Sequence, residues 1–239
     1  MALHIYNQNT PRIRGVLFDM DGLVLDTEKL YCRFWAEAGR CCGFPMTMEH
    51  ALAMRSLGEE LGEKKLQSFF GPTAHYVPIR RKRIELMDAY IAEHGIEVKP
   101  GIYELLDALD ARGIPAAITS SSSQEVIRRH LEAHNLYHRF TKICSARDVP
   151  NGKPAPDIYL HGAASLGLPA ESCLALEDSP TGILAAYRAG CVTVMVPDLD
   201  QPDGETQKLL SAKADSLLDV IGFLEQTGNA LFTKMSKIL

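Results

Sequence analysis

The chain has 239 residues, 46% of them hydrophobic, and a formal net charge of −5. Its length and apolar content are enough for one well-packed core and a smaller accessory unit. Its acidic balance argues against nucleic acid as a partner, because binders of polyanions need a surplus of Lys and Arg. The first 14 residues have no signal-peptide pattern, and no run approaches the ~20 apolar residues of a membrane span. We therefore expect a cytoplasmic protein that acts on a small molecule, without a membrane partner.

The first predicted element is a strand over Gly15–Phe18, an uninterrupted apolar run typical of a strand buried on both faces of a parallel sheet. It ends in Asp19 and Asp21, whose side chains point to the same side of the chain, and Gly22 lets the backbone turn away. Two carboxylates held together repel each other, and a hard divalent cation relieves that repulsion. The stretch therefore predicts a metal site, with Mg²⁺ the usual ion beside a phosphate.

Residues 28–97 show only helical patterns. Thr47 can cap a short helix, and longer helices are predicted over Glu59–Phe70 and Val77–His94. The basic run at 80–83 circles its helix, so we interpret it as a solvated exterior and not as a phosphate or nucleic-acid patch. Since about seventy residues far exceed an ordinary connecting loop, we predict a helical cap domain over residues 28–97, covering the acidic end of the first strand.

From residue 98 onward, predicted helices alternate with short apolar strands. The strands are predicted over 116–119, 141–144, 174–177 and 192–196, and a last short strand and helix within 214–225. Strands separated by helices of this length form right-handed βαβ units. The sequence therefore predicts an α/β fold, in which residues 1–27 and 98–239 form a Rossmann-like parallel sheet with helices on both faces and the all-helical cap is inserted between them.

Three further polar stretches follow these strands at the same edge of the sheet. Thr119 and the serines after it offer a hydroxyl and exposed N–H groups at a helix start, which suit an anion. Lys153 supplies a point positive charge, and Glu177 with Asp178 completes an oxygen-ligand set for a cation. Each stretch alone is also what a helix cap, a solvated side chain or a salt bridge produces. Their order at successive strand ends indicates a site for a phosphate and a metal.

Four segments, FDMDGLVLDTE, AAITSSSS, GKPAPDIY and LALEDSPTGILAA, stand in the order and spacing of the motifs of one family. In these segments the chain resembles the haloacid dehalogenase superfamily of phosphotransferases, specifically its β-phosphoglucomutase-like phosphatases with a helical cap inserted after the first motif. The resemblance implies a Mg²⁺-dependent enzyme that hydrolyses small phosphomonoesters through an aspartyl-phosphate. It also implies that the substrate is a small phosphorylated metabolite, and we expect a monomer.

The resemblance assigns a role to each motif residue. It implies that Asp19 is the nucleophile and Asp21 the general acid/base. It further implies that Thr119, Ser120 and Ser121 hold the phosphoryl group and the substrate, that Lys153 bridges nucleophile and phosphate, and that Mg²⁺ is bound by Asp19, the Asp21 carbonyl, Glu177 and Asp178. An ordinary aspartate pKa of ~3.9 leaves such a nucleophile ionised at neutral pH.

Alternative functions leave different signatures. β-Phosphoglucomutases place a histidine ten residues after the general acid/base, where this chain has Tyr31, so hydrolysis is favoured over a hexose phosphate mutase. Dehalogenases lack the second motif aspartate, so Asp21 argues against them. A non-catalytic receiver-like module would lack both the long helical insert and the D-x-D spacing. A degenerate, merely binding member would lack one of the expected catalytic positions, and none is missing.

The substrate itself is expected to be a sugar phosphate or a nucleoside-derived monophosphate such as pseudouridine 5′-phosphate. Arg55, in the cap segment HALAMRSLGEE, lies where related enzymes carry a substrate-reading loop. It is either a contact to a sugar hydroxyl or a second anionic group, or a solvated arginine at a helix end.

Overall fold

The computed structural model describes residues 3–7, 10–55 and 57–235, with side chains up to Thr227. The chain forms two compact units: the first consists of the chain up to residue 25 and from residue 98 onward, and the second of residues 26–97. Within the described ranges, no helix combines the length and the apolar character that crossing a bilayer requires.

The first unit is built on a sheet in which seven strands are described, in the order β1-β7-β6-β5-β2-β3-β4. The strands are β1 (Leu3–Ile5), β2 (Gly15–Phe18), β3 (Ala116–Ser120), β4 (Lys142–Ser145), β5 (Cys173–Glu177), β6 (Val192–Met195) and β7 (Ala212–Ala214). All neighbours are parallel except β1, which pairs antiparallel with β7. The predicted α/β fold is confirmed, although the sheet is mixed and not wholly parallel.

Strand β1 was not predicted, because its three residues are too few for an apolar run or an alternating pattern to be recognised. It forms through pairing with residues far along the chain, such as Leu3 with Ala214. Only its pairing partner defines it as a strand.

Helices connect the strands of this unit, and one more helix follows the last strand. They are α5 (Ile102–Ala111), α6 (Gln124–Glu132), α7 (Asp157–Ser165), α8 (Pro180–Arg188), α9 (Gly204–Gln207) and α10 (Leu217–Met235). Ser123 and Ser179 accept hydrogen bonds from N–H groups in the first turns of α6 and α8, as helix-capping serines do.

Strand β2 lies at the centre of the sheet between β3 and β5, and all four of its residues are buried. Phe18 pairs with both Ile118 and Leu176. The residues that follow these three strands therefore leave the sheet side by side at one edge. In parallel sheets the carboxyl edge is where ligands bind.

The chain leaves the first unit and returns to it at one place. Leu25 and Val98 form an antiparallel bridge, and the N–H of Lys99 donates to the carbonyl of Val24 at 2.9 Å. The Lys99 side chain then forms an ion pair with Asp198 after β6, with Nζ 2.8 Å from Oδ1. The backbone pairing and the ion pair fix both crossings to the same part of the sheet edge.

The second unit contains the helices α1 (Glu28–Cys41), α2 (Met48–Leu52), α3 (Glu59–Phe70) and α4 (Tyr76–His94). Thr47 caps α2 as predicted, accepting a hydrogen bond from the N–H of His50. The Glu63 carboxylate accepts from the N–H of Tyr76 at 2.5 Å and so ties α3 to the start of α4. The core of this unit includes Trp35, Met46, Met54, Leu66 and Ile79.

The interpretation of the basic run as a solvated exterior is wrong for Arg83. Its side chain is buried, with 7% of the residue exposed, and its guanidinium lies over the rings of Tyr31 and Trp35, 4.7 and 5.5 Å from their centres. Arg83 stands four residues after Ile79 and four before Met87, both buried, so it occupies the inward face of α4. Residues 80 and 81 are exposed as expected.

Candidate active site

Asp19 and Lys153 meet at the carboxyl edge of the sheet. Asp19 directly follows β2, and its backbone N–H donates to the carbonyl of Leu176 at 3.0 Å, which fixes it beside β5. The Lys153 Nζ lies 2.5 Å from Asp19 Oδ1, although 134 residues separate them in the chain. Both side chains are only 10% exposed, so little water screens the pair.

Lys153 also binds Glu177, the last residue of β5, with its Nζ 2.5 Å from Oε1. Burial by itself would lower the pKa of Lys153, but Asp19 and Glu177 outweigh it and hold this pKa well above its usual range. The lysine is therefore a permanent positive charge between two carboxylates.

Glu177 is the most enclosed acid of the site. Its Oε1 accepts a second, short hydrogen bond from the Tyr159 hydroxyl, and its Oε2 accepts from Ser179 Oγ at 3.2 Å. Burial and the neighbouring Glu177 raise the pKa of Tyr159 well above its usual range, so Tyr159 remains a donor. The sequence analysis did not single out Tyr159 or Ser179; the tyrosine that closes GKPAPDIY was the signal available for the first.

Gly182, in the first turn of α8, lies against this carboxylate. A Cβ built on Gly182 would overlap the carboxyl carbon and both oxygens of Glu177. Since Lys153, Tyr159 and Ser179 hold those oxygens, the carboxylate has little freedom to move aside. Glycine at position 182 is thus a packing requirement of the site.

We expect Gly182→Ala to destabilise the protein by about 2–3 kcal/mol, because the added methyl group overpacks a fixed buried carboxylate. Urea unfolding measures the change. Gly222→Ala is the matched control: Gly222 also lies in a helix, and no described heavy atom comes within 4 Å of its built Cβ. This control should be neutral or stabilising by up to ~1 kcal/mol. Equal effects of the two substitutions would contradict the packing argument.

Three acids can hold a metal ion. One carboxylate oxygen each from Asp19, Glu177 and Asp178 lies within 4.8 Å of the others, and all three residues are buried. Lys153 brings one positive charge to these three carboxylates. An all-oxygen set with excess negative charge is the chemistry that hard divalent cations prefer.

The pKa of Asp19 also bears on whether this cluster fits a cation. Burial raises the pKa of Asp19 to about 8; Lys153 opposes this, and Glu177 and Asp21 add to it. The expectation of an ordinary aspartate pKa is therefore wrong for the protein alone, because the sequence does not show how deeply Asp19 is buried. A cation beside these oxygens favours the ionised carboxylate, so the residues present fit a bound divalent ion.

Asp21 and the serine-rich turn lie next to this cluster. Ser122 Oγ donates to Asp21 Oδ2 at 3.0 Å. Thr119 and Ser120 end β3 beside Asp19 and are fully buried; the Thr119 hydroxyl donates to the Phe18 carbonyl at 3.2 Å. Ser121, directly after them, is exposed. The structure thus brings together the predicted residues of all four motifs.

Arg55 belongs to the second unit and forms an ion pair within it. Its Nε lies 2.9 Å from Glu28 Oε2, and only 9% of its side chain is exposed. Because its side chain is mostly enclosed and forms an ion pair, the interpretation as a solvated arginine is wrong. A substrate contact for Arg55 remains a prediction.

Comparison with known proteins gives several matches. Residues 16–196 match the family of haloacid dehalogenase-like hydrolases. A probable pseudouridine-5′-phosphatase of Drosophila melanogaster is 32% identical over 204 residues, with 80% of this chain and 85% of the relative covered. Hexitol phosphatase A of Escherichia coli (strain K12) is 34% identical over 185 residues, covering 77% and 83%. The crystal structure of CbbY from Rhodobacter sphaeroides in complex with phosphate is similar, with a TM-score of 0.71, 28% identity and coverage of 87% and 96%.

The family match spans well over half of the chain, and both curated relatives carry the name of a phosphatase. The resemblance inferred from the four motifs is confirmed, together with the predicted enzyme class of a phosphoric monoester hydrolase. The chain belongs to the haloacid dehalogenase-like hydrolases.

Proposed function

We propose that this hydrolase is a Mg²⁺-dependent phosphatase of small phosphomonoesters and that it works through an aspartyl-phosphate on Asp19. The observation that carries the proposal is the cluster itself. A carboxylate positioned as nucleophile lies 2.5 Å from a lysine ammonium and within reach of two further acids that can hold a cation. Phosphoryl transfer needs this arrangement, because catalysis depends on positioning and on neutralising the charge of the phosphate oxygens.

In the first half-reaction, one oxygen of Asp19 attacks phosphorus. The new bond between that oxygen and phosphorus forms as the ester bond breaks, and the electron pair of the ester bond passes to the leaving oxygen. Asp21 gives this oxygen a proton, so that an alcohol departs. Lys153 and the Thr119–Ser120 end of β3 hold the phosphoryl oxygens.

In the second half-reaction, water attacks the phosphorus of the aspartyl-phosphate. The bond between phosphorus and Asp19 breaks and returns its electron pair to the carboxylate. Asp21, now deprotonated, takes a proton from the water. Inorganic phosphate leaves, and both aspartates regain their starting states.

The cation would be held by Asp19, Glu177, Asp178 and the backbone carbonyl of Asp21. When bound, Mg²⁺ neutralises charge that develops on the phosphoryl oxygens. Glu177 has a further role, since its hydrogen bond with Lys153 fixes the ammonium beside Asp19.

We expect a metal chelator to abolish phosphate release from p-nitrophenyl phosphate, by at least about a hundredfold, because the charge of three acids and a phosphate then lacks its main counterion. Added Mg²⁺ should restore the rate. Asp178→Asn should raise the Mg²⁺ concentration needed for half-maximal rate, whereas Asp219→Asn, in α10, should not. Full activity in the presence of chelator would contradict the metal assignment, and no phosphate release under any condition would favour a receiver-like module.

The proposed substrates are sugar phosphates or nucleoside-derived monophosphates. The names of the relatives, a pseudouridine-5′-phosphatase and a hexitol phosphatase, support this choice. A panel of sorbitol 6-phosphate, glucose 6-phosphate, glucose 1-phosphate and pseudouridine 5′-phosphate tests it by phosphate release. Interconversion of the two glucose phosphates faster than phosphate release would favour the mutase alternative.

The expectations of a monomer that acts in the cytoplasm, with no nucleic-acid or membrane partner, stay predictions. The boundaries 28–97 of the helical segment, and its role as a cap over the active site, also stay predictions.

A further inference from the structure

We propose that Ser122 is a positioning residue, which orients the Asp21 carboxylate for proton transfer, and that Ser145 in turn fixes Ser122. The inference rests on the proposed role of Asp21 as general acid/base. It adds two residues that act through Asp21, from the ends of the two strands beyond β2.

The contact between Ser122 and Asp21 is direct. Ser122 Oγ lies 3.0 Å from Asp21 Oδ2, with 101 residues between them in the chain. Since a serine hydroxyl carries one proton and a carboxylate accepts, this bond engages Oδ2. The bond restricts rotation of the Asp21 carboxylate and so fixes its orientation.

Ser122 is itself held at both of its backbone groups. Its N–H donates to Ser120 Oγ at 3.0 Å, and its carbonyl accepts from Ser145 Oγ at 2.7 Å. With both groups bonded, the turn after β3 has little freedom, and the Ser122 hydroxyl has a defined place from which to reach Asp21.

Ser145 is suited to this outer role. It is the last residue of β4 and is fully buried. Its Oγ also accepts from the N–H of Arg147 at 3.1 Å, and its own N–H donates to Asp148 at 2.9 Å. These bonds hold the Ser145 hydroxyl against the Ser122 carbonyl. Asp21, Ser122 and Ser145 form a continuous set of contacts from β2 through β3 to β4.

Orientation of the acid affects only steps that need its proton. An alkoxide leaving group requires protonation as the ester bond breaks, whereas p-nitrophenolate departs without it. The ratio kcat/KM covers the steps up to the first irreversible one, which here is transfer to Asp19, so comparing the two ester types isolates proton transfer.

We therefore expect Ser122→Ala to lower kcat/KM about tenfold for the sugar phosphate that the panel shows to be cleaved fastest, an alkyl ester. For p-nitrophenyl phosphate, kcat/KM should change less than about twofold. Ser145→Ala should show the same selectivity to a smaller degree, and Ser122→Thr, which keeps the hydroxyl, should recover most of the loss. If Ser122 had a merely structural role, its loss would lower kcat/KM equally for both esters. Equal losses, or no loss for the alkyl ester, would overturn the inference.

Two further variants separate the possible failures. Ser216→Ala removes another serine–aspartate hydrogen bond, 2.7 Å long and formed with Asp219 at the start of α10, and should leave both esters unchanged. Asp21→Asn should discriminate between the esters more strongly than Ser122→Ala. If Asp21→Asn fails to discriminate, the general acid/base role itself is wrong. If Asp21→Asn discriminates and Ser122→Ala does not, only the positioning role of Ser122 is wrong.

Discussion

Asp19→Asn is expected to abolish turnover, by at least about 10⁴-fold, while the protein stays folded. An amide oxygen carries no negative charge and is a poor nucleophile toward a phosphate. The substitution is nearly isosteric, and it removes an acid whose pKa burial raises to about 8. Because burial disfavours the ionised form of Asp19 and the amide carries no charge, we expect the unfolding midpoint in urea to change little.

The measurement is phosphate release from p-nitrophenyl phosphate, together with the mass of the enzyme after rapid acid quenching. The wild type should show a fraction that has gained one phosphoryl group, and the variant none. Asp219→Asn, with the same chemical change outside the site, serves as the control. Turnover near the wild-type level in Asp19→Asn would refute the nucleophile assignment.

Lys153→Met is expected to reduce turnover by about 10³-fold and to destabilise the fold by about 3 kcal/mol. The lysine lies 2.5 Å from both Asp19 and Glu177, and its removal leaves two buried carboxylates side by side without their ammonium. The loss of rate follows from the same contact, because the ammonium also offsets the repulsion between nucleophile and phosphate.

The stability effect has a defined pH range. Since the pKa of Lys153 in the folded protein is raised, its contribution is complete below the ordinary lysine value of ~10.4 and is lost only as pH rises through the folded pKa. At neutral pH the full destabilisation should therefore appear in urea unfolding.

Lys99→Met is the matched control for Lys153→Met. Lys99 also forms an ion pair in the same unit, with Asp198, but its side chain is 21% exposed. This control should cost less stability and leave the chemistry intact. A double-mutant cycle that combines Lys153→Met with Glu177→Gln should give a coupling free energy of more than about 1 kcal/mol. Independent, additive effects of the two substitutions would show that the pair is not a unit.

Much of the fold and the site could be predicted because the informative features are local. The apolar run Gly15–Phe18 and the acids behind it lie within one short stretch, and β2 has the predicted limits. The rule that parallel strands end at a common edge then brings Lys153 and Glu177 to Asp19 without any knowledge of distances.

The remainder depends on contacts between distant residues. The burial of Arg83, the bond from Tyr159 to Glu177 and the bond from Ser122 to Asp21 have no local pattern, because each is decided by what packs opposite. Burial also decides the pKa of Asp19, which composition and spacing do not reveal. Sequence patterns thus locate the groups proposed to react, whereas the residues that hold them become visible only in three dimensions.

The bridge between Leu25 and Val98 has a consequence for how such enzymes diversify. Because departure and return of the chain coincide at one backbone-paired position, the helical segment between them can lengthen, shorten or change sequence without altering any strand connection of the sheet. The chemistry of phosphoryl transfer can be inherited unchanged while the intervening helices evolve under separate selection.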